Sequence, residues 1–310
     1  MQLKKIILTT LIILLTSSAY SAEKLVVLLD WFANPDHAPL IVAKQQGYFA
    51  AQGLDVELIG PADPSDPPKL VAAGKADIAI SYQPQLIIQI DQGLPLIQIG
   101  TLINKPLNCL VTLKSSPIKT LADLKGKNIG CSNSGMNNAM LKVMLAKYLP
   151  KNANVRTTNI HYNLTQALLS GKVDAVTGMM RNFEVPQLEL AGSPARVFYP
   201  ENHGMPTYSE LIFIAKKDHE NDPRFLKFLT AVKQGTVYLK KHPEESWQIF
   251  AKLYPESNDD LNHRAWFTTI AYFADNPTDF DSKKFMLFAE FMQQNHLIKQ
   301  VQPLKNYAVT

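Results

Sequence analysis

The chain has 310 residues, of which 46% are hydrophobic and 19% charged, and its formal net charge is only +4. This length is sufficient for two packed lobes with their own buried cores. The small charge excludes the strongly basic character of proteins that bind nucleic acid or anionic membranes, so we expect neither partner.

The first 22 residues have the organisation of a secretory signal peptide. Lys4 and Lys5 provide a basic start, Ile6–Leu15 is a short apolar core, and residues 19–22 supply small side chains for cleavage. A membrane anchor is the alternative, but the apolar run is about half of the roughly 20 residues that span a bilayer. No cysteine lies at the cleavage site to carry a lipid. We therefore expect residues 1–22 to be removed and the protein to be periplasmic, without a lipid anchor.

The segment after the signal peptide is the most informative part of the chain. An apolar strand starting at Leu25 leads directly into a loop that carries Trp31, Asn34, Asp36 and His37. We expect a helix to begin at Asp36–Pro39. In α/β proteins, ligands bind where strand ends meet helix N-termini. One large flat ring beside several short polar groups suits a planar, polar, aromatic small molecule.

A weak internal repeat indicates two α/β lobes. Residues 70–80 match residues 168–176: in each copy an apolar helix ends at a glycine, and Lys, Asp and a strand follow. Residues 81–83 and 178–184 then occupy equivalent strand-end positions. The match could also be chance reuse of a common helix–glycine–strand connection, but two copies in two halves favour two lobes.

The remaining patterns alternate between strands and helices, which predicts a mostly parallel sheet in each lobe. Cys109–Leu113 and Glu210–Ala215 are strand-like, and we expect them to be the two crossovers between lobes. The expected boundaries are residues 23–108 and 210–310 for lobe 1 and 109–209 for lobe 2. From Pro223 on the pattern is helical, with aromatic residues in the core.

Several smaller elements are also predicted. They are a helix start at Asp66 and Pro67, another at Thr120–Asp123, a strand over Asn128–Cys131, a loop over Ser132–Gly135 and a helix over Asn137–Leu149.

The sequence contains no recognisable catalytic or metal-binding signature. The patterns GxSxG, HExxH and GxxxxGK are absent, and the seven histidines have no metal-ligand spacing. We expect no catalytic residue, no metal, no cofactor, and a monomer, since no heptads are present. Cys109 and Cys131 could pair in an exported protein, but their strand-like apolar surroundings favour two buried thiols.

Five segments resemble a known family: Asp30–His37, residues 69–84, Thr120–Gly130, Gly178–Glu184 and Gly204–Leu211. They are similar to segments of the periplasmic binding proteins for pyrimidine precursors of thiamine, which supply ABC importers. The resemblance covers essentially the whole mature chain, and the last two segments are the most specific. It implies a type II periplasmic binding protein fold, in which two α/β lobes joined by two crossover strands close over the ligand. It also implies formylaminopyrimidine or hydroxymethylpyrimidine as the ligand, and the membrane subunits of an ABC importer as partners.

An aminopyrimidine would need aromatic faces for stacking and a set of donors and acceptors at its edge. On this basis the candidate ligand-binding residues are Trp31, Asn34, His37, Tyr82, Ser134, Phe183, Glu184 and Tyr208. Five of them also have a purely structural interpretation. Trp31, Tyr82 and Tyr208 could be core or hinge residues, Glu184 a surface ion pair, and His37 a helix-start residue behind the site. Ser134 lies in the loop that precedes a helix N-terminus, and this loop could receive a formyl oxygen or water.

Two other functions remain possible at this point. The fold also resembles the eukaryotic-type pyrimidine synthases of thiamine biosynthesis, which consume pyridoxal phosphate and one of their own histidines. Aligned on the Gly74–Asp77 motif, the lysine and histidine required there fall on Ser81 and Gln85, and Met179–Glu184 contains no cysteine. This departure favours binding without chemistry. The second alternative is a binding protein for riboflavin or another flat heterocycle.

Overall fold

The computed structural model describes residues 22–150 and 152–309. Residues 1–21, which contain nearly all of the predicted signal peptide, lie outside the described residues. Within the described part, no helix combines the length and apolar character that crossing a membrane requires.

The strands and helices follow one another in a βα alternation that gives way to helices alone. The strands are β1 (Glu23–Leu28), β2 (Leu54–Ile59), β3 (Ile78–Ser81), β4 (Leu96–Ile103), β5 (Asn108–Leu113), β6 (Asn128–Cys131), β7 (Arg156–Asn159), β8 (Ala175–Met180), β9 (Ala195–Phe198) and β10 (Leu211–Lys216). The α-helices are α1 (Ala38–Gln45), α2 (Tyr48–Ala51), α3 (Pro67–Ala72), α4 (Gln83–Asp91), α5 (Ser134–Leu145), α6 (Leu164–Leu169), α7 (Glu184–Leu190), α8 (Pro223–Lys241), α9 (Pro243–Leu253), α10 (Asp260–Thr269) and α11 (Ser282–Gln294).

The strands form two five-stranded sheets with equivalent topology. Their orders are β2-β1-β3-β10-β4 and β7-β6-β8-β5-β9. In the first sheet β1 pairs in parallel with β2 and β3, whereas β10 is antiparallel to both of its neighbours. In the second sheet β6 pairs in parallel with β7 and β8, and β5 is antiparallel to β8 and β9. Each lobe therefore has a mostly parallel sheet, as predicted, and the antiparallel strand is the one that arrives from the other lobe.

The chain crosses between the sheets twice, through residues 104–107 and residues 199–210. The strands that follow the crossings, β5 and β10, begin within one residue of the segments expected there. Glu210 connects the crossings, because its Oε2 accepts the backbone N–H groups of Leu107 and Asn108 at 2.5 and 2.9 Å. The two connections therefore form one hydrogen-bonded hinge.

The internal repeat has a structural basis in two equivalent aspartates. Asp77 donates its N–H to the Val26 carbonyl at 3.1 Å and accepts the Val26 N–H on Oδ2 at 2.8 Å. Asp174 makes the same pair of bonds with Asn128, both at 2.8 Å. The preceding glycines, Gly74 and Gly171, have φ values of 70° and 71°, a conformation that glycine adopts without steric cost. Each motif thus attaches a new strand to its parallel neighbour.

Helix α5 differs from the sequence prediction at both ends. It begins at Ser134, inside the expected loop, because the Asn133 side chain caps it by accepting the Met136 N–H at 3.3 Å. It ends at Leu145, four residues before the expected end, where a turn precedes Pro150. The predicted start at Thr120 is a capped 3-10 turn, Leu121–Leu124. The strand over Asn128–Cys131 and the start of α3 after Asp66 are confirmed.

The C-terminal helices cover the first lobe with an aromatic core, as predicted. Phe228 of α8 packs between Phe49 and Phe213, with ring centroids 5.4 and 5.1 Å away. Helix α8 approaches α1 closely at Gly235, where a Cβ atom would lie 2.3 Å from the Pro39 carbonyl oxygen. Leu226 and Leu253 are exposed, because they lie on the opposite faces of their helices.

The two cysteines are buried and do not form a disulfide, which confirms the sequence prediction. Cys109 Sγ contacts the Met179 carbonyl oxygen at 3.1 Å, and Cys131 Sγ lies 3.7 Å from that of Thr158. Burial raises the pKa of the Cys109 thiol well above its usual range, so it behaves as a core residue.

We predict that Asp77→Ala and Asp174→Ala each lower the free energy of unfolding by about 1.5–3 kcal/mol, because each leaves a strand N–H without its charged acceptor. Asp66→Ala is the matched control: its carboxylate makes no backbone cap bond and accepts from the exposed Lys69, so its effect should stay within about 0.5 kcal/mol. Urea unfolding measures all three. Equal losses for Asp66→Ala and Asp77→Ala would contradict this role of the repeat.

Candidate functional site

The loop after β1 folds around its own polar groups. Asn34 caps the 3-10 helix Pro35–His37 by accepting the Asp36 N–H on Oδ1 at 2.8 Å. The Asn34 N–H donates to Nδ1 of His37 at 3.3 Å. Because Nδ1 is an acceptor, the ring proton lies on Nε2, which is 2.9 Å from Asp30 Oδ1. The buried His37 therefore orients the Asp30 carboxylate.

The second oxygen of Asp30 accepts the Tyr82 hydroxyl. Tyr82 lies at the end of β3, and its OH donates to Asp30 Oδ2 at 2.6 Å. Burial and the Asp30 charge raise the pKa of Tyr82 well above its usual range, so the hydroxyl keeps its proton. The ends of the neighbouring strands β1 and β3 thus present a fixed carboxylate and a phenol ring side by side.

These groups face the second lobe across a cleft. Residues from both lobes line it: Asp30, Trp31, Asn34, Asp36 and Tyr82 from the first, and Ser132, Leu164, Gly178, Met180, Phe183 and Glu184 from the second. The cleft therefore lies at the carboxyl ends of strands in both sheets, which is where open α/β sheets bind ligands.

Glu184 supplies a second fixed carboxylate, at the start of α7. Its Oε2 accepts the Met180 N–H at 2.7 Å, and only 7% of the residue is exposed. Burial raises the pKa of Glu184 to about 7, and the nearby charge of Asp36 acts in the same direction. At neutral pH the group can serve as a donor or an acceptor.

A buried hydrogen-bond cluster joins the lobes beside the cleft. Asn182 of the second lobe donates from Nδ2 to Asp36 Oδ1 at 2.6 Å and to Thr269 Oγ1 at 2.7 Å. Thr269 Oγ1 also lies 3.2 Å from Asp36 Oδ1. Burial raises the pKa of Asp36 to about 6. We call Asp36, Asn182 and Thr269 the interlobe cluster.

The opposite rim of the cleft is closed by a second set of contacts. Tyr162 donates its hydroxyl to the Pro61 carbonyl at 2.7 Å and packs edge-on against Trp31, with ring centroids 4.4 Å apart. His161 Nδ1 lies 2.8 Å from Asp63 Oδ2. The part of the cleft between these contacts is narrow, with a volume of about 30 Å³. Because contacts on both rims close it, we expect a ligand to enter when the lobes separate.

The structure brings five of the eight candidate residues together. Trp31, Asn34, Tyr82, Phe183 and Glu184 all line the cleft.

The other three candidates are placed differently. His37 is fully buried behind Asp30 and does not line the cleft. Tyr208 is buried within the second crossing, where it packs on Phe288 with ring centroids 5.2 Å apart. Ser134 begins α5, but its side chain lies outside the described part of the structure; its neighbour Ser132 lines the cleft.

Two carboxylates in the cleft, Asp30 and Asp36, were not among the eight candidates, although the sequence analysis noted Asp36 among the polar groups of the loop. Asp30 directly follows an apolar strand, which is the same signal that identified Trp31. Leu164, Gly178 and Met180 also line the cleft, but they carry no charged or aromatic group that would identify them from the sequence as ligand contacts. Among the described residues, no group of three or more His, Cys, Asp or Glu is arranged to hold a metal ion.

Comparison with solved structures defines the class of fold. A Candida albicans protein described as exhibiting the generic periplasmic binding protein fold superimposes with a TM-score of 0.71 and 18% identity, over 93% of this chain and 96% of its own. An alkanesulfonate-binding protein from Xanthomonas axonopodis pv. citri, bound to MOPS, gives 0.69 and 17%, over 89% and 94%. The chain therefore has the periplasmic binding protein fold, which confirms the predicted fold class.

Within that class, the chain belongs to the NMT1/THI5-like family, whose sequence model matches residues 34–246. It is 47% identical to a thiamine biosynthesis protein of Haemophilus influenzae, over 96% of this chain and 95% of the relative. It is 32% identical to the formylaminopyrimidine-binding protein of Halalkalibacterium halodurans, over 77% and 73%. A 4-amino-5-hydroxymethyl-2-methylpyrimidine phosphate synthase of Legionella pneumophila is 28% identical, over 81% and 80%. The family resemblance predicted from the sequence is thus confirmed.

We predict that stability falls as the pH rises from about 4.5 to 7. Glu184 and Asp36 have folded-state pKa values of about 7 and 6, above their ordinary values of 4.5 and 3.8. The folded protein therefore binds protons more tightly than the unfolded chain, and the associated stability is lost as the pH passes through the folded values. Glu184→Gln should flatten this dependence in urea titrations, whereas Glu189→Gln, on the exposed side of α7, should not. An unchanged slope for Glu184→Gln would contradict the proposed burial of its charge.

Proposed function

We propose that this protein is a periplasmic binding protein that captures a pyrimidine precursor of thiamine and delivers it to an ABC importer. The ligand we propose is formylaminopyrimidine or hydroxymethylpyrimidine. The observation that carries the proposal is the cleft itself, in which aromatic rings from both lobes surround three carboxylates: Asp30, Asp36 and Glu184.

This combination suits an aminopyrimidine. The faces of the ring would stack on Trp31, Tyr82 or Phe183, which stabilises a complex by about 0.5–1.5 kcal/mol beyond area burial. The exocyclic amine donates hydrogen bonds, which carboxylates accept. Glu184 can also meet a ring nitrogen as a donor when protonated, because its pKa is near 7. The name of the 32% identical relative, a formylaminopyrimidine-binding protein, supports the same ligand class.

The two-lobed architecture supports capture and release rather than permanent binding. Ligands buried between hinged lobes favour the closed state by their differential affinity for it. The predicted signal peptide supports capture outside the cytoplasm, and the binding-protein fold supports delivery to the membrane subunits of an importer.

A synthase function is less well supported, although some relatives carry that name. Ser81 and Gln85 occupy the positions where the synthases need a Schiff-base lysine and a donated histidine. Both are buried, and Ser81 Oγ donates to Gln85 Oε1 at 3.4 Å. A hydroxyl cannot form an aldimine, and an amide cannot replace an imidazole, so we propose binding without turnover.

We predict that Trp31→Ala and Glu184→Gln weaken formylaminopyrimidine binding for different reasons. The first removes stacking and buried area; the second removes a charged hydrogen bond of about 1.5–3 kcal/mol, equivalent to roughly a 10- to 150-fold change in Kd. Titration calorimetry measures both. The controls are Phe32→Ala, an exposed neighbouring ring, and Glu189→Gln. Wild-type affinity in either test variant would remove that residue from the proposed contacts.

We also predict that protein purified from the periplasm carries an intact pyrimidine and performs no turnover. Native mass spectrometry followed by mass identification of the released ligand distinguishes formylaminopyrimidine, hydroxymethylpyrimidine and riboflavin. Incubation with pyridoxal phosphate, iron and oxygen should release no pyrimidine and leave every histidine mass unchanged. Release of pyrimidine together with loss of one histidine would establish the synthase alternative.

A further inference from the structure

A second and larger cavity lies in the first lobe, next to the hinge. Its volume is about 520 Å³, compared with about 30 Å³ for the cleft. It is enclosed by the end of β4, the start of α4, residue 209 of the second crossing, and the segment from residue 274 to Phe285. None of its lining residues belongs to the cleft.

One of the residues that line this cavity is a buried amide with an unused donor. Gln83 lines the cavity and is only 1% exposed. Its Oε1 accepts the Ser209 N–H at 2.9 Å, which fixes the orientation of the amide because a backbone N–H requires an oxygen acceptor. The other atom, Nε2, has no hydrogen-bond partner among the described residues. Buried donors without an acceptor are rare in folded proteins and mark sites that take a further group.

A lysine supplies a second donor and a positive charge. Lys284 lines the cavity and is partly buried. Its Nζ donates to the Asn104 carbonyl at 2.7 Å and forms no salt bridge within the described residues. An ammonium group has three donors, so two remain for a ligand. An amide N–H and an ammonium lining the same cavity suit a carboxylate.

Two other lining residues carry negative charge. Asp279 and Asp281 line the cavity and are exposed. Each already accepts one hydrogen bond, Asp279 from Asn276 and Asp281 from the Lys284 N–H. A carboxylate has about four acceptor positions, so both can still accept from a ligand ammonium. The lining therefore combines buried or partly buried donors with exposed carboxylates.

We propose that this cavity is a second binding site, for a small zwitterion of the amino-acid type. The ligand carboxylate lies toward Gln83 and Lys284, and its ammonium toward Asp279 and Asp281. Phe285 supplies an apolar wall for the carbon chain between them. The proposal is independent of which ligand occupies the cleft.

Ligand-observed saturation-transfer NMR on the full mature protein tests this inference. The probes are glycine, β-alanine, 4-aminobutyrate and 6-aminohexanoate, which share both charges and differ in their separation. Butyrate and butylamine each carry one charge. We expect at least one zwitterion to bind, with butyrate and butylamine weaker by about tenfold or more, because each lacks one of the two charged contacts. No binding by any zwitterion, or equal binding by a single-charge probe, would overturn the proposal.

Substitutions of the residues that line the cavity test whether the zwitterion binds there. Gln83→Glu keeps the acceptor for the Ser209 N–H but replaces the free donor with an oxygen, and Lys284→Met removes the charge while keeping the chain. Each should weaken the best zwitterion by about tenfold or more. Lys283→Met, an exposed neighbour on α11, and Glu184→Gln, in the cleft, should leave it unchanged. Binding that survives both Gln83→Glu and Lys284→Met would show that the zwitterion lies elsewhere.

Discussion

The connection between the two lobes depends on the contacts that hold Leu107 and Asn108 in the first crossing. Glu210 accepts both N–H groups of this dipeptide. Arg181 contacts its carbonyls, with Nε 3.2 Å from the Leu107 oxygen and Nη2 3.3 Å from that of Asn108. Arg181 also forms an ion pair with Glu201 in the second crossing. Glu210 thus holds the N–H groups and Arg181 the carbonyl groups of one short peptide segment, which fixes its position between the lobes.

Three polar groups that line the cleft are each held in place by contacts within one lobe. Asp30 and Tyr82 are fixed within the first lobe, and Glu184 within the second, by bonds that do not cross the cleft. Closure is instead made by separate contacts: the interlobe cluster on one side, and His161 and Tyr162 on the other. The exposed His161–Asp63 pair contributes little, since such pairs provide about 0–1 kcal/mol. The buried Asn182–Asp36 bond is therefore the stronger determinant of the closed state.

Much of the fold and part of the site could be predicted from the sequence. The repeated helix–glycine–aspartate motif predicts two lobes because its aspartate has a local role in each sheet. Trp31, Tyr82 and Glu184 could be placed because strand ends share one edge. The interlobe cluster could not, since Asn182 and Thr269 lie 146 and 233 residues from Asp36. Tyr208 resembled a site residue, but its position depends on where α11 packs.

The central claim is that a flat heterocycle is captured by closure of the two lobes. Small-angle X-ray scattering of the ligand-free protein, repeated with formylaminopyrimidine at a concentration that calorimetry shows to be saturating, tests it most directly. The account predicts a smaller radius of gyration with ligand than without it, because the ligand favours the closed state. An identical radius of gyration in both samples would contradict it.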